Sequence, residues 1–126
     1  MKKYGQTSRQ ARAVLPWVAA QVLFQLSVNL YKSFVEGTRQ VEQLIADSDE
    51  PARFMKLYGR QLKRRLLGLE RELEVLQEAG GMMVNDMVQL QLEPAQLIAV
   101  EIAAQRRANE LVQGAVEDIK RMGVAL

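Results

Sequence analysis

Apolar residues recur at spacings of three and four between residues 51 and 79. Two interleaved series repeat every seven residues, namely Met55, Leu62, Leu69 and Leu76, and Gly59, Leu66 and Leu73. This spacing puts both series on one stripe of an α-helix, as in helices that pack lengthwise against each other. Asp49 or Glu50 can cap the start of this helix, with Pro51 in its first turn. Gly80 and Gly81 are predicted to end it.

A helix of about residues 17–46 is predicted before this one, and another of about residues 94–122 after it. The first carries two seven-residue series, namely Leu23, Leu30, Gly37 and Leu44, and Ser27, Phe34 and Val41. The last carries one apolar stripe of Leu97, Val100, Ala104, Ala108, Leu111, Ala115, Ile119 and Met122. Residues 82–92 are predicted as a short helix or an extended connector, because residues 88–92 alternate between apolar and polar as a strand does.

The four polar residues 47–50 allow only a short turn, so the first two long helices are predicted to be antiparallel neighbours. Residues 1–7 are predicted to form a loose basic tail. Pro16 is expected to end or kink a short helical turn, or to lie in the first turn of the main helix. A length of 126 residues corresponds to about one domain. The predicted fold class is therefore all-α: one antiparallel helical bundle or elongated coiled coil of three long helices plus short helical segments.

Two glycines lie on the apolar stripes of the first and second helices. If the helices fold back about residue 48, Gly37 comes nearly opposite Gly59. Glycine costs roughly 1 kcal/mol in a helix interior relative to alanine, so two at one level favour a close helix contact through Gly37 and Gly59. The alternative is that one or both are incidental.

The composition favours a protein without catalysis. The chain contains no cysteine and no histidine, which removes thiolate metal sites and the commonest general base. Gly80 and Gly81 lack the following lysine of a phosphate-binding loop. Glu70 and Glu74 could share a cation but lack the Glu-x-x-His partners of metal sites in bundles. We therefore predict that the protein is not an enzyme and has no catalytic, cofactor-binding or metal-binding residues.

An apolar run at residues 13–30 follows the basic N-terminus. Gln21, Gln25 and Asn29 interrupt it every four residues, so no uninterrupted stretch reaches the roughly 20 residues that a membrane span requires. No convincing small-residue cleavage site follows. The chain is predicted to be cytoplasmic and not transmembrane.

The first half of the first long helix has an unusually wide apolar face. One interpretation is that this half is the most buried part of the bundle. The other is that it docks on a partner or a hydrophobic surface. In that case the apolar binding or oligomerisation face consists of Trp17, Phe24, Leu26, Tyr31 and Phe34.

Charge is segregated along the second helix. Its first half contains no acid and carries a basic cluster of Arg53, Lys56, Arg60, Lys63, Arg64 and Arg65. Its second half is dominated by Glu70, Glu72, Glu74 and Glu78, with only Arg71 against them. This order opposes the helix dipole, so local helix stability does not explain it. Three explanations stay open: a solvated face, head-to-tail pairing with a second copy, or binding of an anionic partner such as nucleic acid or phospholipid.

Residues 41–78 resemble the central part of phasins, small helical proteins that coat polyhydroxyalkanoate granules in bacteria. This segment reads VEQLIADSDEPARFMKLYGRQLKRRLLGLERELEVLQE. The family pattern is a helix that ends in leucines, then a short polar turn with an acidic residue and a proline, then a long amphipathic helix that begins with Phe or Leu. Here Leu44–Ile45, Asp49–Pro51, Phe54 and Leu57 occupy these positions. The resemblance implies no catalysis, self-association, and an amphipathic surface held against a polyester.

The expected function is therefore that of a phasin-like, granule-associated protein that self-associates and coats a hydrophobic granule or lipid surface. The alternative is a helical coiled-coil adaptor or scaffold that binds a protein or nucleic acid through the basic cluster at residues 53–65. The expected partners are other copies of the chain, together with a hydrophobic surface or a helical protein. Nucleic acid is a further candidate.

Overall fold

Three α-helices account for nearly all of the chain in the computed structural model, which describes the backbone of residues 2–124 and the side chains of residues 14–123. They are α1 (Lys2–Ala46), α2 (Pro51–Gln89) and α3 (Pro94–Val124). Each helix packs against the other two. The predicted all-α bundle of three long helices is confirmed.

The turn between α1 and α2 is short, with Pro51 in the first turn of α2 as predicted, but the predicted side-chain cap is absent. Glu50 is the residue at the N-cap of α2, and Pro51 occupies the first turn. The Glu50 side chain makes no capping hydrogen bond; it instead forms an ion pair with Arg53, at 3.2 Å between Oε2 and Nη1. On the α1 side, the Ser48 hydroxyl donates a 2.6 Å hydrogen bond to the carbonyl of Ile45 and closes the turn.

The predicted end of α2 at Gly80 and Gly81 is wrong, because the helix continues to Gln89. Neither glycine has a positive φ, so neither has the left-handed conformation typical of a helix end. Gly80 is buried against α1, where a Cβ atom on it would lie 3.2 Å from Leu26 Cδ1. The glycine permits close packing, and most of residues 82–92 extend α2 where a short helix or connector was predicted.

The N-terminal expectation also changes. α1 begins at Lys2, so the backbone of residues 2–7 is helical, where a loose tail was predicted. Pro16 lies inside this helix and removes one backbone hydrogen bond from it without ending it.

The helices run up, down and up. Asn29 of α1 donates to Glu101 of α3 at 3.5 Å, and Gln105 of α3 donates to Ser33 of α1 at 3.2 Å. Both pairs are separated by 72 residues, which is the constant offset of parallel neighbours. α2 runs antiparallel to α1, because Leu26 meets Gly80 whereas Gly37, further along α1, meets Leu69, which comes earlier in α2.

The core extends along the bundle in two parts joined at Leu76. The part near the α1–α2 turn comprises Leu30, Val41, Phe54, Leu62, Leu69, Leu73, Ala108, Val112, Ala115, Val116 and Ile119. The part at the opposite end comprises Leu15, Ala19, Val22, Leu26, Val84, Leu97, Val100 and Ala104. Six of the eight positions predicted for the α3 stripe are buried, and Leu111 and Met122 pack against the core.

The predicted contact between Gly37 and Gly59 is wrong. A Cβ atom on Gly37 would lie 3.1 Å from Val112 Cγ1 of α3 and 3.5 Å from Leu69 Cδ2 of α2. One on Gly59 would meet only the side chain of Met55 from its own helix, at 3.8 Å. The register between α1 and α2 differs from the prediction by about ten residues, because Gly37 lies level with Leu69 and Leu26 lies level with Gly80.

Candidate functional surfaces

α1 carries apolar side chains on two opposite faces. One face, with Val22 and Leu26, is buried in the core. On the outward face, Trp17, Phe24 and Tyr31 follow one another every seven residues and are 79%, 61% and 70% exposed. Residues seven apart lie on the same side of a helix, so these three form one continuous row, named here the aromatic stripe. Val14 and Val35 are also exposed and extend the same face.

The aromatic stripe contains three of the five residues predicted for an apolar binding face. The other two are corrections. Leu26 is 2% exposed and packs over Gly80 in the core, because it lies on the opposite side of α1. Phe34 is half-buried and packs against the core between α1 and α2. The wide apolar face predicted for α1 therefore has one buried side and one side that the bundle leaves uncovered.

One described segment, Val14–Ala46 of α1, is long and apolar enough to cross a membrane by length and composition. Only 28% of its most apolar window is buried in the bundle. The other residues of this stretch are partly or fully exposed to water.

A groove of about 290 Å³ lies between α1 and α2 beside the aromatic stripe. Its floor includes Leu30 and Leu73, and Glu70 and Glu74 line its edge. Among the described residues no group of three or more acidic side chains is placed to hold a metal ion. The groove therefore combines apolar and acidic surface.

The basic cluster of α2 divides into two parts. Lys56, Arg60, Lys63 and Arg64 are exposed on the outward face, and none of them forms an ion pair within the described part of the chain. These four are named here the basic surface. Arg53, also exposed, pairs with Glu50 as described above.

Arg65 does not belong to this surface, which corrects its predicted place in the basic patch. Its side chain is 22% exposed, and Nε donates a 2.8 Å hydrogen bond to Asp118 of α3. Nη1 lies 3.2 Å from Glu72 of α2. Partly buried ion pairs of this kind, held by hydrogen bonds, tie helices together more firmly than exposed pairs. Arg65 therefore joins α2 to α3.

The second half of α2 presents the opposite charge on the same outward face. Glu70, Glu74 and Glu78 are exposed and are named here the acidic surface. Between the basic and acidic surfaces lies Leu67, which is 55% exposed. The outward face of α2 is thus basic, then apolar at Leu67, then mainly acidic, with the exposed Arg71 among the glutamates.

One surface feature was predicted only in part, and one contact between helices was missed. The seven-residue spacing of Trp17, Phe24 and Tyr31 is visible in the sequence, but these residues were grouped with inward-facing neighbours. The role of Arg65 depends on Asp118, 53 positions away, and no local pattern indicates that pairing.

One exposed ion pair on α1 lowers the pKa of a carboxyl group. Arg39 donates to both carboxylate oxygens of Glu36, at 2.6 and 3.0 Å. This hydrogen bonding, with a smaller contribution from Gln40, lowers the pKa of Glu36 from 4.5 to about 2. The pair lies on the polar side of α1 and has no contact with the aromatic stripe in the structure.

Comparison with protein-family models, with curated proteins and with solved structures finds no match to this chain.

Proposed function

We propose that this protein is a non-enzymatic, phasin-like helical protein of the cytoplasm that self-associates and coats a hydrophobic granule or lipid surface. The observation that carries the proposal is the aromatic stripe, three large side chains in one row on the outward face of α1. The resemblance of residues 41–78 to phasins supports the same function and suggests a polyester granule as the surface.

The energetics of adsorption are favourable. Fully burying a side chain of the size of phenylalanine contributes about 1.5–3 kcal/mol. Three such side chains on one face therefore offer several kcal/mol without opening the core. Trp17 and Tyr31 also carry a polar group on an apolar ring, which suits the boundary between an apolar phase and water.

Co-sedimentation with polyhydroxyalkanoate particles tests the proposal. The variant W17Q/F24Q/Y31Q removes the aromatic stripe from exposed positions, so the bundle is expected to stay folded while adsorption falls sharply. A matched control is V75Q/M82Q/M83Q, which changes three exposed apolar residues of α2. The control should sediment with the particles as the unchanged protein does.

Salt identifies the kind of contact. Adsorption through the aromatic stripe should persist from about 0.05 M to about 1 M salt, where the Debye length falls to about 3 Å. Equal adsorption by the stripe variant and the control, or complete release at high salt, would contradict the proposal.

The alternative function is a helical adaptor that binds an anionic protein or nucleic acid. The observation in its favour is the basic surface, four exposed cations without ion pairs within the described residues. Binding of this kind would weaken steeply with salt. It would be lost in K56Q/R60Q/K63Q/R64Q and kept in the stripe variant, which is the reverse of the pattern expected for granule coating.

A further inference from the structure

We propose that the outward face of α2 pairs antiparallel with α2 of a second copy, in a register centred on Leu67. This inference specifies the self-association in the proposed function and rests on it. The observation that carries it is charge complementarity of one helix face with itself, since the basic and acidic surfaces flank a single exposed leucine.

The positions match on both sides of Leu67. Lys56 and Glu78 lie eleven residues before and after it, and Arg60 and Glu74 lie seven before and after. In an antiparallel pair, residues equally far from the centre lie at the same level. Lys56 then faces Glu78 of the second copy, and Arg60 faces Glu74 of the second copy. Symmetry repeats each pair.

Four more charged positions complete the face. Lys63 lies four residues before the centre and Glu70 three after it. Because they are seven apart they lie on the same side of the helix, and in the pair they differ in level by only one residue. Arg64 and Arg71 share the other side of the face in the same way. Arg64 and Arg71 would approach each other and oppose pairing, because like charges repel at this distance. The three complementary pairs, Lys56–Glu78, Arg60–Glu74 and Lys63–Glu70, still outnumber this one pair of like charges. A parallel pair would place bases beside bases and acids beside acids, so charge selects the antiparallel arrangement.

The symmetry has a consequence for surface binding. The two-fold axis of two antiparallel helices packed face to face is perpendicular to both helices and lies midway between them. Rotation about this axis keeps each neighbouring helix on its own side. Because α1 and α3 flank the outward face of α2 on its two sides, the two copies of α1 come to lie on one side of the dimer. Their aromatic stripes then face the same surface.

This arrangement also sets the strength of pairing. Exposed ion pairs contribute about 0–1 kcal/mol each, so they fix orientation, and the dimer in solution should be weak and salt-sensitive. Two stripes directed at one surface bind with a higher effective affinity than either alone. Adsorption and pairing should therefore strengthen each other.

Disulfide trapping tests the register, because the chain has no cysteine of its own. L67C places a thiol at the centre of symmetry, where two helices in contact bring the Cα atoms within the roughly 7 Å that a disulfide requires. M82C is the matched control, since Met82 is 68% exposed on the same helix but lies far from its own copy in this register. At low salt L67C should form covalent dimers several-fold faster than M82C, and high salt should remove the difference. Equal rates at low salt would overturn the inference.

Charge reversal is a second test of the antiparallel pairing, and it requires neither a granule surface nor a disulfide. K56E/R60E/K63E makes the outward face acidic, and E70K/E74K/E78K makes it basic. Each variant alone should sediment as a monomer at low salt, whereas an equal mixture should form heterodimers. Dimerisation of either variant alone, or no association in the mixture while both remain helical by circular dichroism, would overturn the inference. Because no granule is present, this result is separate from the adsorption result.

Discussion

Two glycines show how the packing around a single position decides the effect of substitution. Gly37 faces Val112 and Leu69 at a distance that leaves no room for a larger side chain, whereas Gly59 faces open space apart from Met55. We expect Gly37→Leu to lower the free energy of unfolding by about 1–3 kcal/mol through overpacking. Gly59→Ala should raise it by up to about 1 kcal/mol through helix propensity.

Urea denaturation followed by circular dichroism measures both changes. Gly59→Ala is the control, because it changes a helical glycine outside the core, whereas Gly37→Leu changes one that packs against Val112 and Leu69. A Gly37→Leu variant as stable as the unchanged protein would show that α1 and α3 do not approach closely at this level.

The ion pair of Glu36 and Arg39 gives a pH dependence at the same scale. Its folded-state pKa of about 2 lies below the ordinary value of 4.5, so its stabilising effect is present above pH 4.5 and is lost as pH falls towards 2. Arg39→Gln should return the pKa of Glu36 towards 4.5, as followed by NMR titration of the carboxyl carbon. The contribution to stability should be small, because the pair is exposed to solvent. A pKa that stays near 2 in Arg39→Gln would assign the shift to another group.

The end of α2 illustrates a strained helix terminus. The amide of Leu92 donates to the carbonyl of Met87, and that of Gln91 to Val88, which is the hydrogen-bond pattern of a Schellman motif. Gln91 has φ of 55°, in the left-handed region where glycine is preferred. Gln91→Gly should therefore stabilise the protein by about 0.5–1 kcal/mol, seen as a higher midpoint of thermal unfolding. A midpoint below that of the unchanged protein would mean that the Gln91 side chain itself stabilises the turn.

The buried face of a helix could be predicted from the sequence where burial alone determined the spacing of its apolar residues. The α3 stripe consists of buried apolar residues at regular spacing, so its face was predicted from the sequence. The end of α2 was not, because Gly80 makes room for Leu26 and tertiary packing outweighs the usual meaning of a glycine pair. The face of α1 was predicted only in part, since both of its sides are apolar and periodicity alone does not say which one meets the other helices.

At the scale of the whole molecule, the three helices bury a core among themselves and leave two surfaces exposed to solvent. The aromatic stripe of α1 is apolar, and the outward face of α2 is divided into basic and acidic surfaces. These faces lie on different helices and adjoin at the groove lined by Tyr31, Glu70 and Glu74, so a granule bound to one would lie close to a second copy bound to the other. The account predicts that loss of one contact leaves the other measurable.

The most direct test of surface binding uses Trp17, the one tryptophan in the chain. Because it belongs to the aromatic stripe and is 79% exposed, its fluorescence reports on that stripe alone. In the free protein the emission should be that of a hydrated indole, readily quenched by iodide. On addition of polyhydroxyalkanoate particles the emission should shift to shorter wavelength and lose its access to iodide. Unchanged emission and quenching while the protein sediments with the particles would contradict binding through the aromatic stripe.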